Sequence, residues 1–238
     1  MADDPISQPR RPSAPFEAVV FDFDGTLVAS RFADEAAVAA LIASDISAAA
    51  GAEVFWAHEG EPLLARIEVA WPGRLSEVLP LFERQGAPRC YPGVIPVLRR
   101  LRRRGLRLAV VSSRRRAALE SGLLATGLVP YFPVVVGLED VAEPKPSPEG
   151  LLLALRRLEV SAARTLYVGD NPLDVEAGHE AQVTVWRAVW GLPPTSPNGV
   201  VILRRPAEIL DRIAAADAVA PADEVAAAGE VAAAHQVA

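Results

Sequence analysis

The chain has 238 residues, 51% of them hydrophobic, and a formal net charge of −6. That is enough apolar material for a real core in one or two domains, and the negative balance leaves no general basic footprint for nucleic acid. A single cysteine, Cys90, excludes an internal disulfide and suits a reducing cytoplasm. No apolar run approaches the ~20 residues of a membrane span, and the polar, Pro- and Arg-rich start has no signal-peptide core, so a cytoplasmic protein is expected.

In chain order, residues 1–15 hold several prolines and no periodicity, and read as a disordered arm. Residues 17–22 are a first strand. Three helical stretches follow, over 31–50, about 61–71 and about 75–85, with no convincing strand between 29 and 90. Tyr91-Pro92-Gly93 then punctuates the chain and opens a helix to Arg104. From there strands (106–112, 134–136, 164–169, 182–187, 200–203) alternate with helices (114–126, about 148–158, 172–180, and from about 206). Ser147 reads as the N-cap of the second of these, with Pro148 at its first position. Such alternation implies right-handed βαβ units and a parallel sheet. The expected organisation is an α/β doubly wound core over 16–28 and 92–213, an all-helical insertion over 29–91 the size of a small cap domain, and an Ala-rich tail over 214–238.

In open α/β sheets, ligands bind at the carboxyl ends of the strands, so the polar residues there are the candidates. The first strand ends in Asp22 and Asp24, followed by Gly25 and Thr26. Two carboxylates at the end of a buried strand are costly unless a cation or hydrogen bonds compensate them. The second strand ends in Ser112 and Ser113. The loop after the third carries Lys145, the only lysine among 24 basic residues. The fourth ends in Gly169-Asp170, with Asp174 four residues on. Carboxylate oxygens suit Mg²⁺, and a hydroxyl and an ammonium suit a phosphoryl group.

Four ordered motifs, Asp22-Phe-Asp24-Gly-Thr-Leu, Val110-Val-Ser112, Lys145-Pro-Ser-Pro and Gly169-Asp170 with Asp174, give the chain its family likeness. It resembles the haloacid dehalogenase superfamily over about residues 16–213, in the phosphoglycolate phosphatase and β-phosphoglucomutase-like subgroup with a helical cap. The resemblance implies a Rossmann-like core and a phosphatase acting on a small phosphorylated metabolite. It casts Asp22 as nucleophile, forming an aspartyl-phosphate, and Asp24 as general acid and then base. Ser112 would bind a phosphoryl oxygen, and Lys145 would neutralise the nucleophile and the transferring group. Mg²⁺ would be held by the Asp22 side chain, the Asp24 backbone carbonyl and Asp170, with Asp174 in or near that shell. Backbone N–H groups of the Gly25–Thr26 turn and near Ser113 would complete an anion nest.

His58, Glu61 and Arg66 in the cap, and Arg114 directly after the second motif, are candidate substrate contacts. The arginine run from Arg99 to Arg107 reads as the solvated face and C-terminal turn of a helix. Ala29-Ser30 stands where many relatives carry an aspartate, which weakens assignment within the subgroup. A phosphomutase and a catalytically degenerate binding protein stand as alternatives. Asp24 argues against a dehalogenase, whose chemistry needs no second carboxylate.

Overall fold

The computed structural model describes residues 16–58, 61–84, 88–191 and 200–219. The arm expected over 1–15, and the tail beyond Val219, lie outside the described residues. Six short strands, β1 (Ala18–Phe21), β2 (Arg107–Val111), β3 (Val134–Val136), β4 (Thr165–Gly169), β5 (Thr184–Ala188) and β6 (Val201–Leu203), form one sheet. Its order is β3-β2-β1-β4-β5-β6 and every pairing is parallel. The sheet is therefore doubly wound, and β1 sits at the switch point, with β2 on one side and β4 on the other. That is where a parallel sheet opens a crevice beyond its strand ends.

Strand side chains alternate between two cores. Val19 and Phe21 of β1, Leu108 and Val110 of β2, and Leu166 and Val168 of β4 face one layer. It is built by α5 (Val94–Arg103), α6 (Arg116–Ala125) and α9 (Glu208–Val219). Ala18, Val20, Ala109, Val111 and Tyr167 face the other, covered by α7 (Glu149–Leu158) and α8 (Pro172–Glu180). Both faces being covered explains the near-continuous apolar strands. α9 carries the chain through Val219, so it takes in residues 214–219 of the stretch that the sequence suggests as the tail. α7 starts one residue later than expected: Pro148 is its cap residue, and the Ser147 hydroxyl accepts from the Glu149 N–H at 3.3 Å.

The block after β1 contains α1 (Arg31–Ser44), α2 (Ala49–Ala57), α3 (Leu63–Ala70) and α4 (Leu75–Glu83). It has its own core of Ala37, Val38, Leu41, Phe55, Ile67, Trp71, Val78 and Phe82, and burying each large side chain contributes roughly 1.5–3 kcal/mol. The single helical stretch expected over 31–50 is broken at Asp45. That residue leaves helical geometry, and its carboxylate accepts from the Ser47 N–H at 2.9 Å, a local bond that competes with helix continuation. The chain enters and leaves the block side by side: Ala29 N–H donates to Arg89 at 2.8 Å, Tyr91 N–H donates to Leu27 at 3.1 Å, and Val28 pairs with Cys90. The helical block is thus inserted without disturbing the sheet. Among the described residues no helix is long and apolar enough to cross a membrane.

Candidate active site

The sheet ladder runs one residue past two strands. Asp22 N–H donates to Val168 at 2.9 Å and Ser112 N–H to Val136 at 3.0 Å. Both side chains are thereby fixed at the switch-point crevice by strand pairing rather than by a loop. Asp22, Ser112, Asp170 and Asp174 are all buried. Carboxylate oxygens of Asp22, Asp170 and Asp174 lie within 4.8 Å of one another.

Lys145 closes the cluster. Its ammonium is 2.6 Å from Asp22 Oδ1, 2.6 Å from Asp174 Oδ1 and 3.4 Å from the Tyr167 hydroxyl. Its side chain is only 8% exposed. The loop that carries it is held by Glu149, whose carboxylate accepts from the Ala142 and Glu143 N–H groups at 2.9 Å each. Burial works against the Lys145 charge, but the Asp174 and Asp22 carboxylates outweigh it and hold the ammonium well above its ordinary pKa. Burial pushes the Asp22 carboxyl up to about 7; Lys145 opposes the rise, while the Asp174 and Asp24 charges support it. The grouped oxygens of Asp22, Asp170 and Asp174 are hard donors of the kind that suit a divalent cation.

Asp174 is held on both oxygens. Oδ1 accepts from Lys145 and, at 2.6 Å, from the Tyr167 hydroxyl, and Oδ2 accepts from the Asn171 N–H at 3.0 Å. Asn171 caps α8 in return, its side chain accepting from Leu173 N–H at 3.0 Å. One aspartate therefore caps a helix and orients the lysine. Tyr167, fully buried on β4, is a participant that sequence reading missed, because a strand tyrosine gives no sign of its hydroxyl partner. Tyr167→Phe should keep the fold and lower stability by about 1.5–3 kcal/mol, the worth of a hydrogen bond to a charged group. A shift in the urea midpoint at unchanged slope is the check; an unchanged midpoint would show that the bond adds nothing.

The Gly25–Thr26 turn lies against Asp170. Gly25 lies at φ +74°, and a methyl group there would overlap the Asp170 carboxylate, so only glycine allows that close approach. The Gly25 N–H is taken by Val28 at 2.9 Å. The Thr26 hydroxyl donates to Asp170 Oδ1 at 3.3 Å. The Gly25 N–H and the Thr26 hydroxyl are thus both engaged within the protein. Ser113 differs. Its hydroxyl is buried without a partner among the described residues, in a cleft also lined by Ser112, Gly137, Glu143 and Lys145.

Asp24 has a different partner. Its carboxylate takes a bidentate pair from Arg114, Nε to Oδ2 at 2.6 Å and Nη2 to Oδ1 at 2.7 Å. Burial works to raise the Asp24 pKa, but the Arg114 guanidinium and a bond from Ser30 hold it below the usual carboxylate value.

The cap candidates fare differently. His58 ends α2 with Nδ1 2.8 Å from the Val54 carbonyl of its own helix. Glu61 begins the next turn, its N–H donating to His58 at 3.2 Å. Neither has a contact in the cluster among the described residues. Arg66 is buried inside the cap rather than presented at its surface. Its guanidinium lies 3.8 Å from the Phe55 ring centroid and pairs with Asp34 at 3.2 Å, while Nη2 has no partner among the described residues. Asp34, on α1, is pushed by burial up to about 6, Arg66 opposing the rise and Asp24 adding to it.

A folded pKa raised from an unfolded value of 3.8 means stability present below pH 4 and lost as pH rises through 6. With Asp34 a fifth exposed, that loss amounts to about 2 kcal/mol. In urea titrations at pH 4 and pH 7, the change between the two should be less unfavourable by that amount in Asp34→Asn than in the wild type. Equal pH dependence in the two proteins would refute the assignment.

Residues 16–182 match the model of the haloacid dehalogenase-like hydrolases. A relative named "Probable phosphatase IndB" from Dickeya dadantii is 33% identical over 194 residues, covering 74% of this chain and 83% of that protein. The chain belongs to the haloacid dehalogenase-like hydrolases. A phosphoglycolate phosphatase from Cupriavidus necator is 32% identical over 220 residues, covering 87% of this chain and 94% of that protein. The solved structure of CbbY from Rhodobacter sphaeroides in complex with phosphate superposes with a TM-score of 0.64, at 22% identity, over 82% of this chain and 96% of that one. Within the haloacid dehalogenase-like hydrolases the chain has the capped, doubly wound architecture of the phosphoglycolate phosphatase and β-phosphoglucomutase-like members.

Proposed function

We propose that the protein is a Mg²⁺-dependent phosphatase that hydrolyses a small phosphorylated metabolite through an aspartyl-phosphate on Asp22. The observation that carries this reading is the convergence of Asp22, Asp170, Asp174 and Lys145, all buried, at the switch point of the sheet. Its named relatives are phosphatases.

The donor set fits a hard dication that accepts few protein oxygens and keeps several waters. Asp22, Asp170 and the Asp24 carbonyl would hold Mg²⁺, with Asp174 beside them. When bound, the ion would offset the repulsion between the anionic nucleophile and the phosphoryl oxygens. The remaining chemistry belongs to the chain. Asp22, tethered to Lys145 through one oxygen, attacks phosphorus with the other. The P–O bond to the leaving group breaks as the P–O bond to Asp22 forms. Asp24 protonates the leaving oxygen, then takes a proton from the water that cleaves the acyl phosphate. Lys145 stabilises negative charge on the phosphoryl oxygens as they transfer. The Ser112 hydroxyl, and the unpartnered Ser113 hydroxyl, donate to phosphoryl oxygens.

The test is phosphate release from a panel of phosphomonoesters, with and without Mg²⁺, by wild type and Asp22→Asn. Mg²⁺-dependent release by wild type alone is expected. Equal inertness of the two proteins across the panel would refute a catalytic role. Isomerisation of a sugar phosphate without free phosphate would replace the phosphatase reading with a mutase.

A further inference from the structure

β4 ends at Gly169, which pairs with Arg187 of β5. Asp170 lies one residue past that ladder, where strand pairing no longer fixes it. A side chain holds it instead: Arg187 Nε donates to the Asp170 main-chain carbonyl at 2.7 Å. Arg187 is only 6% exposed. Among the described residues its side chain makes no ion pair and no other hydrogen bond. Arg66, the other buried arginine among them, has Asp34. Taking a guanidinium out of water costs several kcal/mol, and an apolar side chain in its place is often neutral or stabilising. The strand neighbours Val185, Trp186 and Ala188 are apolar and buried. Stability is thus given up at this position for one contact, and that contact is to Asp170. The Asp170 side chain is held from the same stretch of chain. Its Oδ1 accepts from the Thr26 hydroxyl at 3.3 Å, and the Thr26 carbonyl accepts from Trp190 Nε1 at 3.0 Å, two residues past the end of β5.

We infer that Arg187 is a positioning residue for Asp170, and that by holding the Asp170 main chain it raises the affinity of the Asp22, Asp170 and Asp174 cluster for a divalent cation. The inference rests on the Mg²⁺ reading proposed above. A carboxylate fixed during folding loses no further freedom when it takes up an ion; a carboxylate on a loose loop end must be ordered at that moment, and affinity falls. Groups that orient a metal ligand from behind typically change affinity or activity by about 10- to 100-fold when they are removed. A guanidinium that acted only through its charge would do the reverse: it would repel the ion, and its removal would tighten binding. The two roles therefore differ in sign.

The test is a titration of the protein with Mn²⁺, which takes the same oxygen donors as Mg²⁺, with the free ion followed by electron paramagnetic resonance and no substrate present. Wild type, Asp170→Asn, Arg187→Met and Arg187→Lys are compared. The dissociation constant should rise by about 10- to 100-fold in Arg187→Met. It should recover most of that loss in Arg187→Lys, whose ammonium can still donate to a carbonyl. A role in the fold alone would lower the melting temperature of Arg187→Met without moving the dissociation constant of the folded protein. An unchanged constant in Arg187→Met would therefore overturn the inference, and so would a tighter one. Should Arg187→Met not fold, Arg187→Gln takes its place under the same criteria. Asp170→Asn separates this inference from the reading beneath it. Wild type that binds no Mn²⁺, or Asp170→Asn that binds it equally well, would overturn the metal site itself. Binding that is lost in Asp170→Asn and unmoved in Arg187→Met would overturn only the role of Arg187.

Discussion

Asp22→Asn should reduce phosphate release by about 10⁴-fold or more, the scale on which loss of a covalent nucleophile is felt, and should at the same time make the metal-free protein more stable at neutral pH. The two effects share one cause. Burial lifts the Asp22 carboxyl to about 7 from an unfolded value of 3.8. Its contribution to stability is present below pH 4 and is lost as pH rises through 7. An asparagine of the same shape carries no charge to bury, while Lys145 keeps Asp174 as its partner. The melting temperature of metal-free wild type should therefore fall relative to Asp22→Asn between pH 4 and pH 8. Adding Mg²⁺ should raise the wild-type value by ligand linkage and raise that of the variant less. A variant that is both inactive and less stable at pH 8 would mean that Asp22 holds the structure together rather than being held in place for chemistry.

Lys145→Met should cost about 3–5 kcal/mol of stability, because it leaves Asp22 and Asp174 buried without their cation. Phosphate release should disappear with it. The more telling variant is Lys145→Arg, which keeps the charge. One compact ammonium reaches Asp22 Oδ1 and Asp174 Oδ1 at 2.6 Å each and the Tyr167 hydroxyl at 3.4 Å. A planar guanidinium is larger, spreads its donors over a fixed fork and cannot place a single nitrogen at that convergence. Lys145→Arg should lose about 10²-fold or more in kcat, with a smaller stability loss than Lys145→Met. Wild-type activity in Lys145→Arg would show that charge alone suffices. The chain otherwise uses arginine throughout, so this position carries a specific geometric demand.

What the sequence made legible were the features governed by local pattern. Continuous apolar runs marked β1, β2 and β4. The polar residues ending them, Asp22, Ser112 and Asp170, arrived where parallel pairing places them, because register carries a strand end to the crevice without help from distant residues. Illegible features depended on contacts across the chain. The Thr26 hydroxyl turns to Asp170, 144 residues away. Tyr167 was legible as a buried strand residue but not as the donor to Asp174. Arg66 looked like a polar cap residue open to ligand, and the stacking on Phe55 that buries it is set by how α2 and α3 pack. Arg114 was a candidate for the substrate; its grip on Asp24 spans 90 residues and two loops. Asp45 shows a local failure of the same reading, where a side-chain bond to Ser47 ends a helix that composition alone would continue.

The central claim is that phosphoryl transfer passes through Asp22. Rapid mixing of enzyme, Mg²⁺ and a turned-over monoester, acid quench within a single turnover, and mass spectrometry of the digest test it most directly. One phosphoryl group should be found on the peptide containing Asp22, at a level that rises before free phosphate and decays as phosphate appears. Full release of phosphate with no modified peptide, or a phosphoryl group on any other residue, would contradict the account.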